Sequence, residues 1–546
     1  MANITGWELF ARSLKSVGVD TMFFLLGGPM SANFCERQGI KTIDVRHEQG
    51  ASMMAHAYSR VARKPGVCMT GAGPDALNLI TGIAVAQADC SPLVALCGSS
   101  SIQLRDMGIF QEMEQLNPMK PVVKRAFQVP CIDRIPFVVN MAFSETIKGK
   151  AGPVYVDFPA DCLTSQIDEQ KIPFMPYPPR DTGRAMGDPD QVKKAINALR
   201  KAEHPVILVG SGAYWADASH ELQKFVELTG IPCYTTPAAR GLIPEDHKLC
   251  FPAARSTAFK GTDVLLVIGT RSNWIVNHFF PPVFPLKLKL IEVNIEAEEI
   301  GRNRPADIGI VGDAKAVLKQ LIEEAQKEFD STKIAPWAQT LRKKNEEKAA
   351  MMAPALNTNQ TPIHPWRLCK EIRDVLPRDG ILAVDGQQAL VFSNQSIPAY
   401  SPGCRLLPGP SGCMGVAVPF AIGAKVASPE RTVMALSGDG SFGMNGMEID
   451  TAVRHKIPVV IVVLNNRSWG GLPEAADVYS PIDLGYTGYD KIAEAFGAWG
   501  RRVEKPDELR PALQEALACG RPAVVNVITD PKASAETRAF ADYPVI

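Results

Sequence analysis

Ser437-Gly438-Asp439-Gly440-Ser441-Phe442-Gly443-Met444, followed by Leu464-Asn465-Asn466-Arg467-Ser468, carries the strongest signal in the chain. The apolar run from Thr432 to Leu436 predicts a buried strand that delivers Gly438. The glycines allow a sharp turn and a close approach of backbone to a ligand. From Gly446 to Arg454 the pattern is helical, which puts the turn at a helix N-terminus, where free N–H groups attract phosphate. A second apolar strand, Pro458 to Leu464, ends at Asn465-Asn466. This strand–turn–helix–strand order predicts Asp439 and Asn466 at neighbouring strand ends of an open α/β sheet. One carboxylate, one amide oxygen and one backbone carbonyl, assigned to Ser468, form a donor set suited to Mg²⁺. Gly-Asp-Gly alone is more often an ordinary βαβ turn; the paired asparagines and the two strands tip it toward a ligand site.

The chain has 546 residues, enough for roughly three domains of ~150–200 residues. With 46% hydrophobic and 21% charged residues it has ordinary globular usage. Lys+Arg and Asp+Glu both number 58, so no global field favours nucleic acid or a membrane surface. The twelve cysteines show no metal-ligand spacing, and Cys68, Cys97 and Cys369 read as small core residues in a reducing cytoplasm. The first residues lack the basic-then-apolar pattern of a signal peptide, and no apolar run reaches membrane-spanning length. The expected localisation is therefore cytoplasmic.

Taken in order, residues 1–180 alternate helix and strand patterns, as in a parallel sheet covered on both faces. Thr5 is placed to cap a helix through Val17, and Thr21 to Leu26 reads as a strand. Ile43 to Ala51 passes from strand to helix with Glu48 at the junction, where an acid also serves simply to complement the helix dipole. Gly66 to Pro74 is a strand and glycine turn leading to a helix with Asn78. Met107 to Glu112 reads as a loop, and Gln111 on it is either a substrate donor or a solvated amide. Residues 188–330 form a second α/β unit, whose Gly210-Ser211-Gly212 is a weak nucleotide-like signal. The charged stretch Lys327 to Lys348 reads as a helical linker. Residues 360–530 form the third unit, in which Gln387 and Gln388 follow a strand and Met414 stands between Gly412 and Gly415. Residues 531–546 are a tail. The predicted architecture is three consecutive open, mostly parallel α/β domains.

Gly-Asp-Gly followed by Asn-Asn resembles the cofactor motif of the thiamine-diphosphate enzymes. Glu48, Asn78 and the Met414 segment match a second constellation of that superfamily. The resemblance implies pyrimidine-binding, central and diphosphate-binding domains in that order. It implies thiamine diphosphate with Mg²⁺ bound at Gly438, Asp439, Gly440, Ser441 and Asn466, with Gln387 and Gln388 near the diphosphate. Gly412 and Met414 would hold the pyrimidine from their backbone, and the Met414 side chain would bend the cofactor. Glu48 would donate a proton to the pyrimidine N1′, which needs a carboxyl held protonated in a poorly solvated place. Metal ligands would be Asp439, Asn466 and Ser468. It further implies a homodimer or homotetramer with each cofactor between two subunits.

Within the superfamily the chain is most similar to the 2-hydroxyacyl-CoA lyases and oxalyl-CoA decarboxylases. Gly98-Ser99-Ser100, Gly108 to Glu112, Ala253 to Ser256 with Arg271 to Trp274, and Arg405-Leu406 leading to Gly415 carry this. Asp385-Gly386-Gln387-Gln388 instead resembles acetohydroxyacid synthases, and Arg405-Leu406-Leu407-Pro408 lacks the aspartate usual after Arg-Leu. The implied reaction is reversible C–C cleavage of a 2-hydroxyacyl-CoA to formyl-CoA and an aldehyde or ketone, with Gln111 and Glu474 beside the substrate. The alternative is an acetolactate-forming or other 2-oxo acid carboligase or decarboxylase, oxalyl-CoA decarboxylase included. Lys532 or Arg538 in the tail would meet CoA phosphates. Whether the central domain holds ADP, FAD or neither stays open.

Overall fold

The computed structural model describes residues 3–25, 29–172, 183–470 and 482–533, with backbone alone for 29 and 30. Three parallel sheets organise the chain. The first contains β1 (Thr21–Phe24), β2 (Lys41–Asp44), β3 (Gly66–Thr70), β4 (Leu93–Ser99), β5 (Arg125–Gln128) and β6 (Pro153–Pro159), in the order β2-β1-β3-β4-β6-β5. The second contains β7 (Val206–Val209), β8 (Cys233–Thr235), β9 (Val264–Ile268), β10 (Lys289–Asn294) and β11 (Ile308–Val311), in the order β8-β7-β9-β10-β11. The third contains β12 (Ile381–Asp385), β13 (Arg405–Leu406), β14 (Val433–Gly438), β15 (Val460–Asn465), β16 (Trp499–Val503) and β17 (Ala523–Ile528). Its order, β13-β12-β14-β15-β17-β16, repeats that of the first sheet. In both, the order reverses between the first strand and the third, which opens a crevice at the strands' carboxyl ends.

The strands are short Val/Ile-rich runs, and β7 and β15 are buried along their whole length, as parallel strands with helices on both faces must be. The first and third units share one apolar core. Met53, Met54 and Tyr58 of α1 (Glu48–Ala62) and Phe420 and Ile422 of α2 (Ala417–Ala427) belong to it. α1 starts on His47, whose Nδ1 accepts from the Gln49 N–H. It stops at Arg63, in the left-handed region at φ 55°, two residues before Pro65. The central unit has its own core.

Thr5 caps the first helix by accepting from the Glu8 N–H at 3.3 Å. The charged stretch expected to be a linker is divided between two helices, Ala314–Glu328 and Ala335–Leu356, and the second buries Trp337, Ala338 and Leu341 in the central core. Its charges face solvent and hide that apolar stripe from a composition reading. Cys68, Cys97 and Cys369 are buried, and burial pushes the thiols of Cys97 and Cys369 up to about 12. Among the described residues no helix is long and apolar enough to cross a membrane.

Candidate active site

Two clusters stand at strand ends. The first follows β2 and β3. Glu48, the first residue of α1, is buried, and its Oε2 accepts from Asn78 Nδ2 at 3.1 Å. His47 Nδ1 lies 3.8 Å from the same oxygen. Burial, and secondarily the charge of Glu48, raises the Asp75 carboxyl above its usual range. Gln111 Nε2 donates to Asp75 Oδ1 at 3.4 Å. Asn78 and Gln111 therefore both gather around Glu48, one directly and one through Asp75.

The second cluster follows β12, β14 and β15. Asp439 is the first residue of α3 (Asp439–Asn445), immediately after Gly438, so the helix begins earlier than the Gly446 start read from periodicity. Helical dihedrals tolerate these glycines; what excludes a side chain at Gly440 is Trp469, whose ring would lie 2.6 Å from an added Cβ. The expected role for that glycine, a sharp turn, falls to packing instead. Asp439 is buried, its Oδ1 accepts from Gly440 N at 2.9 Å and its Oδ2 from Ser468 N at 3.1 Å. Ser468 N also lies 3.1 Å from Asn466 Oδ1, so the carboxylate and amide oxygens converge on one place. Burial pushes the Asp439 carboxyl up to about 6, opposed by backbone N–H groups. A buried acid answered by neutral donors, beside a convergent amide oxygen, fits a hard divalent cation with few protein ligands. Gly438 and Gly440 flank Asp439, and Ser441, two residues on, is buried.

The two glutamines part company. Gln388 is committed within the protein: its Oε1 accepts from Asn466 Nδ2 at 2.8 Å and its Nε2 donates to the Ala533 carbonyl at 3.1 Å. Gln387 is exposed, with its Oε1 beside Gly470. Gly412 and Met414 form a turn just before α2. Asp385 Oδ2 fastens its end by accepting from Val416 N at 2.7 Å, and Asn445 Nδ2 donates to the Gly415 carbonyl at 2.8 Å. Met414 is 40% exposed in the single chain. Glu474 and Arg538 lie outside the described residues.

Sequence reading gave no role to Asp385, Asn445 or Glu448. All three are buried and act on backbone distant in sequence, and the only trace in the sequence is a polar residue among apolar ones, as Glu448 beside Ile449. In the central unit, a Cβ on Gly210 would meet Thr270 Oγ1 at 2.2 Å, so chain packing by itself accounts for that glycine. A small cleft nearby is lined by Gly210, Ser211, Arg271, Asp89 and Pro410.

Three family models match in series: thiamine pyrophosphate enzyme N-terminal TPP binding domain at residues 4–118, central domain at 192–321 and C-terminal TPP binding domain at 386–527. Human 2-hydroxyacyl-CoA lyase 1 is 31% identical over 561 residues, covering 98% of this chain and 96% of its own length. The chain belongs to the thiamine pyrophosphate (thiamine diphosphate) enzyme family. Oxalyl-CoA decarboxylase of Escherichia coli K12 is 32% identical over 544 residues, covering 97% of this chain and 96% of its own. The acetolactate synthase large subunit IlvG of Mycobacterium tuberculosis is 35% identical over 543 residues, covering 97% of both. The two clusters fall in the first and third family domains, on either side of the crevice-forming reversals of strand order.

Proposed function

We propose that the protein cleaves a 2-hydroxyacyl-CoA reversibly to formyl-CoA and an aldehyde or ketone. The observation that carries the substrate class is full-length similarity to 2-hydroxyacyl-CoA lyases, together with Gly108 to Glu112 and the Arg405 to Gly415 segment. Asp439, Asn466 and the Ser468 backbone carbonyl would hold Mg²⁺ and, through it, the diphosphate, with Gly438, Gly440, Ser441 and Gln387 around it. Bound thiamine diphosphate would supply a carbon nucleophile and an electron sink. Glu48, buried and oriented by Asn78, would hold a proton at the pyrimidine N1′. The Met414 turn, fixed by Asp385 and Asn445, would support the ring from below. Gln111, whose Nε2 reaches Asp75 at 3.4 Å, would orient a substrate oxygen, and Glu474 is proposed beside it.

Within one chain Phe110, Met107, Met414, Met444 and Met447 are exposed large apolar residues. Several lie on the segments that carry the site, which supports a homodimer or homotetramer in which a second copy covers them. A CoA-covering role for the tail and an ADP on the central domain belong to the same reading. A second reading, acetolactate formation, is favoured by Asp385-Gly386-Gln387-Gln388 and by the acetolactate synthase relative. Incubating the holoenzyme with 2-hydroxyisobutyryl-CoA and separately with pyruvate separates them. Formyl-CoA and acetone from the first support the lyase; acetolactate from the second, with the thioester untouched, rejects it.

A further inference from the structure

The backbone leading into Glu48 is gripped by a side chain from the third domain. Glu448 opens α4 (Glu448–Arg454), shortly after α3 and Asp439. Its Oε1 accepts from Arg46 N at 3.2 Å and from His47 N at 3.1 Å, and its Oε2 from Arg46 N at 3.1 Å. Thr451 Oγ1 donates to the same Oε2 at 2.6 Å. The carboxyl is buried among these donors, with 1% of the residue exposed. Gly50 in the first turn of α1 faces it so closely that an added Cβ would sit 2.3 Å from Glu448 Oε1. The turn and the carboxylate thus have one mutual position. The neighbouring ties between the two domains, Arg454 to Asp44, His455 to Asp44 and Arg46 to Asp450, lie nearer the surface and leave the Arg46 and His47 N–H groups alone.

We propose that Glu448 is a positioning residue. By fixing the Arg46-His47 backbone against the segment that carries Asp439, it sets where the Glu48 carboxyl stands. The inference rests on the reading of Glu48 as the acid at the cofactor ring, and it adds a reason why that acid keeps one place against its own chain's third domain. A carboxylate accepting several N–H groups at a helix start is a strong, directional clamp. Misplacement of a catalytic group by about 1 Å costs on the order of 10²-fold in rate.

The test compares Glu448→Ala, Glu448→Gln, Arg454→Gln and Glu48→Gln with the native protein. The first readout is amide hydrogen exchange of peptides covering residues 44–50 in the cofactor-free protein, and Glu448→Ala is expected to exchange there faster. The second is deuterium exchange at the thiazolium C2 of bound thiamine diphosphate, alongside calorimetric cofactor uptake. Glu448→Ala is expected to slow C2 exchange about 10²-fold while uptake changes less than about threefold. Glu448→Gln keeps the shape and one acceptor, so it folds if the alanine variant does not, and falls between. Arg454→Gln leaves C2 exchange at the native rate. Native C2 exchange in either Glu448 variant, or an equal loss in Arg454→Gln, overturns the proposal, as does unchanged amide exchange. Native C2 exchange in Glu48→Gln instead removes the role given to Glu48, and the amide readout still decides whether Glu448 holds the turn.

Discussion

Asn466 Nδ2 donates to Gln388 Oε1 at 2.8 Å, and this fixes which way the asparagine amide faces. With its nitrogen engaged, the Asn466 oxygen is turned toward Ser468 N and the Asp439 carboxylate. Gln388 is in turn steadied by the Ala533 carbonyl. In the proposed metal site the glutamine would thus set the orientation of the Asn466 oxygen.

Gln388→Leu therefore should free the Asn466 amide to rotate. Partners of this kind typically affect metal affinity 10–100-fold. Calorimetric titration of Mg²⁺ in the presence of thiamine diphosphate should show an affinity about tenfold lower or worse, with the fold intact by circular dichroism. Gln388→Glu, which keeps the accepting oxygen, should lose less.

The shared core of the first and third domains depends on a close helix contact. A Cβ on Gly423 of α2 would lie 2.2 Å from the Met54 carbonyl oxygen of α1. Backbone cannot yield as a flexible side chain does, so Gly423→Ala must push the helices apart. Overpacking of this sort costs about 1–3 kcal/mol. A lower unfolding midpoint should result, and because α1 begins with Glu48, turnover should fall with it.

Much of this was legible in the chain, for identifiable reasons. Continuous apolar runs such as Val206–Val209 announce buried parallel strands, and Asp439 and Asn466 stand together because each directly ends a strand of one sheet. The helix start at Asp439 was obscured, since Gly440 and Gly443 weaken a helical pattern that tertiary packing then imposes. Glu448 and Arg46 are 402 residues apart, and no periodicity links them. Trp337 and Leu341 were masked by the lysines and glutamates of their own helix.

A buried ion pair of the central domain reaches the third through its remaining hydrogen bonds. Arg240 meets Glu245 through two contacts at 2.5 and 2.6 Å, and also donates to Asn394 Oδ1 and the Ile397 carbonyl. Burial alone would raise the Glu245 carboxyl, but the Arg240 charge and hydrogen bonds hold it below its usual range. Its contribution is thus present above the ordinary value of 4.5 and is lost as pH falls through the lower folded value. Glu245→Gln leaves a buried guanidinium unpaired, a loss of about 3–5 kcal/mol. Denaturant unfolding at neutral pH should show that loss, and the gap to native protein should narrow under acid conditions.

Asp385 has the opposite sign. Its Oδ2 accepts from Val416 N and Ala417 N, while Oδ1 is buried without a hydrogen-bond partner. Burial pushes the carboxyl from 3.8 up to about 6, with the N–H groups pulling against it. The folded protein then holds this proton more tightly than the unfolded chain, so the stability it confers is full below 3.8 and lost as pH rises through about 6. Each tenfold difference in proton affinity between the folded and unfolded chain is worth about 1.4 kcal/mol, so the loss across that window reaches about 3 kcal/mol. Asp385→Asn keeps the accepting oxygen and removes the proton, so between pH 3.8 and about 6 its stability should fall by about 3 kcal/mol less than the native protein's, the other titrating groups, Asp439 among them, acting equally in both. Asp385→Ala leaves the Val416 N–H unpaired and frees the Met414 turn, costing about 1–3 kcal/mol and weakening cofactor uptake. A native slope retained in Asp385→Asn would assign the titration to another group.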